Sequence, residues 1–405
     1  MEKSIQLQVD SGGMQPFPCR SSKRHPATPL ADSFSAEVDT VDKARWEEIC
    51  GDFLDANIYQ TWPYAIVRSG RANVSHLILK EGVRVVAAVQ ARLAGLPYLR
   101  LGMAYIRWGP LWKPRTGERD DEVFRQIVRA IRNEYAVRRG LVVRLLPALC
   151  VEENDQYGKI LEEEGYELNR SGHQDRTILM DVRPDLDDLE RGFHRKWRKH
   201  LNRARKNNLE IVEGEEDSLF EALGAIYKEM VQRKQFASDS DITPYRRTQR
   251  DLASAEKLRI VLCRADGEVI AGALFSALGE TAVDLFRATS NRGVKRYGSY
   301  LVQWRVLEHL KQRGCHWYNL NGINPARNPG GYQFKSQLAG ENGRDVYFLG
   351  PFDAYPNAAL RLLTSVGERF RASVKGRRES RPSVATAHSS NRQREQNQHH
   401  RRSPR

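Results

Sequence analysis

One order of elements occurs twice along this chain, and it restricts the fold more than any single motif does. Residues 41–53 (VDKARWEEICGDF) have helical spacing, and YQTWPYAIVRSG (59–70) reads as a second short helix opened by Thr61 and Pro63. Apolar runs at 76–82 and 83–93, parted by a Glu-Gly turn, read as strands, and YLRLGMAYIRWGPLW (98–112) continues the sheet. Residues 121–139 are helical by period, and LVVRLLP (141–147) is a buried strand. The same order of two helices, three strands, a helix and a strand returns at 215–233, 242–255, 257–290, 296–314 and 315–322. Such an order predicts an α/β (α+β) chain with a central mixed sheet flanked by helices, used twice, although no residue-level repeat accompanies it.

At 405 residues the chain is long enough for two such domains. The expected division is a disordered leader at 1–35, a first domain at 36–180, a basic helix plus second domain at 181–370, and a disordered basic tail at 371–405. The net charge of +14 is concentrated in that tail, where ten Lys or Arg face two Glu and leave +8. The tail lacks the apolar residues that repay ordering. Its basicity permits peripheral contact with the inner leaflet of a membrane or with nucleic acid, and equally a solubilising role. No apolar window is long enough to span a bilayer. Cys19, Cys50, Cys150, Cys263 and Cys315 are scattered without metal-ligand spacing, so neither zinc nor a disulfide framework is expected, and a reducing cytoplasm is.

Three stretches carry candidate chemistry. In the first, Phe193, Trp197, Leu201 and Ala204 form one apolar helical face, surrounded by Arg195, Lys196, Arg198, Lys199, Arg203, Arg205 and Lys206. The cationic side is either solvated or a phosphate-binding surface. In the second, NRGVKRYGSYLVQW, a basic loop runs through Lys295 and Arg296 into Gly298 at a helix start, where backbone N–H groups meet a positive helix end. This segment resembles the pyrophosphate loop of Gcn5-type acyltransferases, except that Tyr300 stands where a small residue is usual. The third, NPGGYQFK (328–335), reads as a Gly-Gly turn that presents Tyr332, Phe334 and Lys335 after a strand, with a lysine either solvated or aimed at a partner.

In context the last stretch resembles the segment closing the second domain of Fem-type peptidyltransferases. Arg296, Tyr297, Trp304, Gly314, Gly322, Gly331, Phe334, Lys335 and Gly340 carry that likeness, with Tyr59-Gln60-Thr61-Trp62, RWGPLW and the 177–211 block in the family's order upstream. The resemblance covers roughly residues 40–350 and implies two tandem Gcn5-like acetyltransferase (GNAT-type) domains. It also implies transfer of an amino acid from charged tRNA to an amine of a phosphate-bearing peptidoglycan precursor, with no bound cofactor. Lys335, shielded by Phe334, would be the cationic stabiliser of the oxyanion or of the tRNA end. Arg198, Arg203, Tyr245, Arg246 and Phe286, with Arg296, Tyr297, Gly331 and Tyr332, would contact substrates. The chain lacks the long helical hairpin of some tRNA-dependent members, and Asp239 and Asp241 stand near Tyr245 where an arginine is common. An acyl-coenzyme A dependent N-acyltransferase acting on an amino sugar or exopolysaccharide precursor, and a non-catalytic fold binding nucleic acid or a membrane, are the alternative readings.

Overall fold

A computed structural model describes residues 26–96, 101–153, 155–171, 174–234 and 241–364. The strands are β1 (Phe34–Val38), β2 (Val74–Glu81), β3 (Arg84–Leu96), β4 (Leu101–Arg107), β5 (Val142–Leu146), β6 (Glu167–Leu168) and β7 (Arg176–Asp181), then β8 (Glu210–Gly214), β9 (Arg259–Ala265), β10 (Glu268–Ser276), β11 (Thr281–Thr289), β12 (Trp317–Gly322), β13 (Gly343–Tyr347) and β14 (Phe352–Ala354). The helices are α1 (Lys43–Gly51), α2 (Trp62–Ser69), α3 (Asp121–Ile131), α4 (Asp155–Glu163), α5 (Leu186–Gly192) and α6 (Arg195–Arg205), then α7 (Asp217–Lys234), α8 (Thr243–Asp251), α9 (Asn291–Arg296), α10 (Gly298–Gln312) and α11 (Pro329–Ala339). The described residues up to Pro356 form one compact unit, and those from Asn357 to Thr364 belong to a second.

The duplicated order becomes two seven-stranded mixed sheets, β1-β2-β3-β4-β5-β14-β6 and β13-β7-β12-β11-β10-β9-β8. In each, an antiparallel meander ends in one parallel pair, β4 with β5 and β11 with β12, and the chain between the pair includes a helix, α3 or α10. A parallel neighbour requires such a crossover. Apolar residues of α3 (Phe124, Ile127, Val128, Ile131) cover the first sheet, and those of α6 and α10 (Trp197, Leu201, Val306, Leu310) cover the second. The four residues of the predicted apolar face, Phe193 to Ala204, are all buried. A further cluster joins the two halves by packing Ile58, Tyr59 and Trp108 with Leu179, Leu285 and Phe348.

Two strands cross the division expected at residue 180. β7 bonds to β12 and β13 of the second sheet, while β14, from the end of the second half, inserts between β5 and β6 of the first. The leader differs too. Residues 26–35 are placed against the first domain, with Thr28 N and Ala31 N donating to Asn133 and Gln126 and Leu30 packed on the core. Residues 1–25 and the basic tail lie outside the described residues.

Candidate active site

β11 and β12 pair only from Thr281↔Trp317 to Val283↔Asn319, and beyond that point they are not bonded to each other. A cleft of roughly 820 Å³ opens there, bounded by both strands, α7, α10 and α11. The carboxyl ends of parallel strands are where α/β sheets take ligands, because no ladder fills the space.

Two bulges aim side chains into this cleft. On β11, Leu274 faces Phe286 and Phe275 faces Asp284, so Leu285 is an extra residue without an opposite number. Leu285 and Phe286 therefore share one face, and Asp284 and Arg287, three apart, share the other, which alternation would forbid. Arg287 Nε lies 2.6 Å from Asp284 Oδ2. This is a close ion pair without hydrogen-bond alignment, and both Asp284 oxygens, Arg287 Nη1 and Gln303 Nε2 are buried without a hydrogen-bond partner. On β12, the ladder to β7 is irregular between Asn319 and Gly322, and Asn321 takes a left-handed φ of 61°. Asn319 Oδ1 accepts from Asn321 N at 2.8 Å and lies 2.7 Å from the Thr177 hydroxyl, which fixes the distortion.

NPGGYQFK is a helix start rather than the expected turn. Asn328 caps α11 by accepting from Gly331 N at 3.1 Å, and Pro329 takes the first turn, where its missing N–H costs nothing. Neither glycine has positive φ. A Cβ at Gly331 would come 2.5 Å from Asn328 Nδ2, so a larger residue there has to displace the capping side chain. Helical phase then carries Lys335 to the β12 bulge, where Nζ donates to the carbonyls of Asn321 (3.1 Å) and Gly322 (2.8 Å). Burial, aided by the Arg287 guanidinium and opposed by Asp284, pulls Lys335 down to about 7. The lysine expected as a fixed cation thus titrates near neutrality. Phe334 packs edge-on to Tyr300 at 5.2 Å, with the Arg287 guanidinium 5.4 Å from its ring centroid.

Of the residues proposed from sequence, Lys335, Phe334, Gly331, Tyr297 and Phe286 line this cleft. Tyr297, in a left-handed conformation between α9 and α10, stacks on His200 at 4.9 Å, and Arg203 donates to its hydroxyl at 2.9 Å. The others lie elsewhere. Arg198 donates to Arg191 O, Arg296 to Asn207 O, and Arg246 is paired with Asp217 and Glu221. Tyr245 is held against Tyr64 in the joining cluster, and Tyr332 packs toward the second core. Asp284, Arg287, Asn321 and Asn328 also line the cleft and are not among the residues expected from sequence. The signals available were two charges in the apolar run TAVDLFRAT and an Asn-Pro pair before a lysine-bearing segment.

Residues 244–364, which include α8, the cleft strands and α11, match the FemAB family model. Over those residues the chain is Fem-type in sequence. Among solved structures it is similar to FemX, with a TM-score of 0.69 and 13% identity over 81% of this chain and 99% of that one. A tandem GNAT protein from the clavulanic acid biosynthesis pathway matches with a TM-score of 0.42 and 12% identity, over 80% of this chain and 99% of that one. No curated protein matches the chain. The FemX-like fold accounts for the paired mixed sheets and leaves the chemistry to the residues of the cleft. Among the described residues no cluster suited to a metal ion occurs, and no helix is long and apolar enough to cross a membrane.

Proposed function

We propose that the chain is an aminoacyl transferase that moves an amino acid from charged tRNA to an amine of a lipid- or nucleotide-linked muramyl peptide, with Lys335 at the transferring centre. The observation that carries this reading is the placement of Lys335: anchored by two carbonyls at the floor of a cleft, behind an aromatic wall, with a proton affinity close to neutral. A permanently charged lysine can stabilise an anion but cannot exchange protons at pH 7, whereas this one can do both. The Fem-type segment at 244–364 supports the donor and acceptor classes.

The chemistry follows from proton accounting. The acceptor amine attacks the ester carbonyl carbon, a C–N bond forms, and the carbonyl electron pair moves to oxygen. Neutral Lys335 takes the proton released by the attacking nitrogen, and its ammonium then faces the oxyanion. As the oxyanion collapses the C–O bond breaks, and Lys335 returns its proton to the departing ribose oxygen. Phe334 keeps water from the ammonium, which strengthens its field. Lys196 and Arg233, which line the cleft, supply positive charge for a phosphate-bearing partner, while Arg287 is paired with Asp284.

The test is transfer of radiolabelled amino acid from charged tRNA to a panel of lipid- and nucleotide-linked muramyl peptides. Product that vanishes in Lys335→Met supports the reading. No transfer from any charged tRNA, with acyl-coenzyme A binding by calorimetry, would replace it with a coenzyme A dependent N-acyltransferase. Nucleic-acid or vesicle binding without any turnover would instead leave a binding module.

A further inference from the structure

One wall of the cleft is a continuous run of rings. Phe334, next to Lys335 in sequence, meets Tyr300 edge-on at 5.2 Å, and Tyr300 meets both His200 (4.9 Å) and Tyr297 (6.1 Å). His200 Nδ1 lies 2.8 Å from the Tyr300 hydroxyl, and the imidazole stacks on Tyr297 at 4.9 Å with 28° between the planes. Arg203 donates to the Tyr297 hydroxyl at 2.9 Å. His200, Tyr297, Tyr300 and Phe334 all line the cleft, and so does the exposed Lys196, one helical turn before His200. Tyr297 holds its place against the preference of its backbone. It is the first residue past α9 and has a φ of 62°, a left-handed conformation that glycine enters freely and a tyrosine does not. A ring kept at that position, half-buried, clamped by His200 and Arg203 and lining the cleft, is a surface on which a flat partner can stack.

The chemistry of the donor says what that partner is. In a charged tRNA the ester oxygen belongs to the ribose of the terminal adenosine, so the adenine must lie within a sugar's width of the carbon being attacked. With that carbon at Lys335, Tyr297 stands at the required range, one ring beyond Tyr300. Proteins hold single-stranded bases in this manner, on aromatic faces with cations along the phosphates, and Lys196 supplies a cation on the same side of the cleft. We propose that Tyr297, backed by His200, is the platform on which the terminal adenine of the charged tRNA stacks, with Lys196 beside its phosphate. The proposal rests on the transferase reading for the name of the donor, though not for the measurement of base binding. The uridine diphosphate of a nucleotide-linked acceptor and the adenosine of coenzyme A offer a similar flat ring and phosphate, and the experiment separates these sources.

The experiment is calorimetry of the full chain with the uncharged trinucleotide CCA, and with uridine diphosphate and coenzyme A in parallel. Tyr297→Gly should weaken CCA binding by roughly tenfold or more, whereas Tyr297→Phe, which keeps the ring, should stay within about threefold of the parent. The urea midpoint of Tyr297→Gly should move little, because relief of the left-handed backbone offsets the packing given up. A ring kept only for packing predicts the opposite pattern, a lowered midpoint with unaltered binding, and that result would overturn the proposal. So would the absence of saturable heat with CCA in the parent. If Tyr297→Gly does not fold, Tyr297→Leu, which keeps bulk without a ring, decides: binding equal to the parent rejects the platform. Loss confined to uridine diphosphate would hand the platform to the acceptor, and loss confined to coenzyme A would hand it to a different donor; either result rejects the assignment to tRNA. CCA binding that depends on Tyr297 in a protein transferring nothing would uphold the platform and remove the transferase reading. Transfer from charged tRNA with CCA binding indifferent to Tyr297 would do the reverse.

Discussion

Lys335 Nζ donates to the backbone carbonyl of Gly322 at 2.8 Å, joining the second turn of α11 to the last residue of β12. Helix and strand end thereby present one amine at the point where two parallel strands have ceased to pair. Substitution of this amine is the sharpest test of its role. Lys335→Met is expected to lower transfer by roughly 10²–10⁴-fold with folding intact, as loss of an acid–base group does. Lys335→Arg should fail to rescue, because a guanidinium keeps its proton at any working pH. Single-turnover rates with charged tRNA, alongside circular dichroism, check both; near-parent turnover in the arginine variant would mean that only fixed charge is needed.

The same lysine makes stability depend on pH. Its folded midpoint, about 7, lies below the ordinary lysine value of 10.5, so between these limits the unfolded chain binds more protons and stability rises with pH. Below pH 7 both states are protonated and the cost of burying the ammonium is fully present. Lys335→Met should therefore be more stable than the parent at pH 6, with the gap narrowing toward pH 10; urea midpoints at the two pH values measure it.

Gly331→Ala places a methyl group against Asn328 Nδ2 and displaces the cap of α11. Loss of such a cap costs about 1 kcal/mol. The larger effect should fall on transfer, because the first turn of α11 sets the height of Lys335 above the β12 carbonyls. A urea midpoint moved modestly with turnover reduced at least tenfold is the expected pattern.

A buried carboxylate marks the joint between α1 and the chain after α8. Burial, reinforced by Glu47, raises Glu256 to about 7. Between its unfolded value of 4.5 and 7 the native state holds the extra proton, so stability falls as pH rises through this window, and the penalty is complete above it. Glu256→Gln should melt higher than the parent at pH 8, by roughly 2 °C for each kcal/mol relieved, and level with it near pH 4. Calorimetry at the two pH values decides.

The long periodic elements were legible in the sequence because each buries one face: α3 and α6 show their stripes directly, and the parallel pairs follow from the duplicated order. β6 and β14, at two and three residues, are too short for any period to register, which is why their pairing was invisible and the division at residue 180 severed β7 from its sheet. The reading of NPGGYQFK as a turn gave weight to two glycines over the Asn-Pro pair that caps a helix. Lys335 is legible through resemblance. Asp284 and Arg287 are not legible as a pair, since alternation assigns residues three apart to opposite sides and only the extra residue Leu285 brings them to one. Arg198, Tyr245, Arg246, Arg296 and Tyr332 entered through the same resemblance, and in the fold they are held by partners outside the cleft.

The placement of β14 bears on how the molecule is made. Among the described residues β6 bonds to no strand except β14, and Asp353 on β14, fully buried, receives the Arg144 guanidinium of β5. A ribosome delivers residues 34–168 long before residue 353, so the first sheet must wait, with a slot open between two of its strands, until nearly all of the second has emerged. The half synthesised first is thus the half completed last, and a nascent chain stalled before Phe352 should be held by chaperones or cleaved by proteases at an edge that the finished protein does not possess.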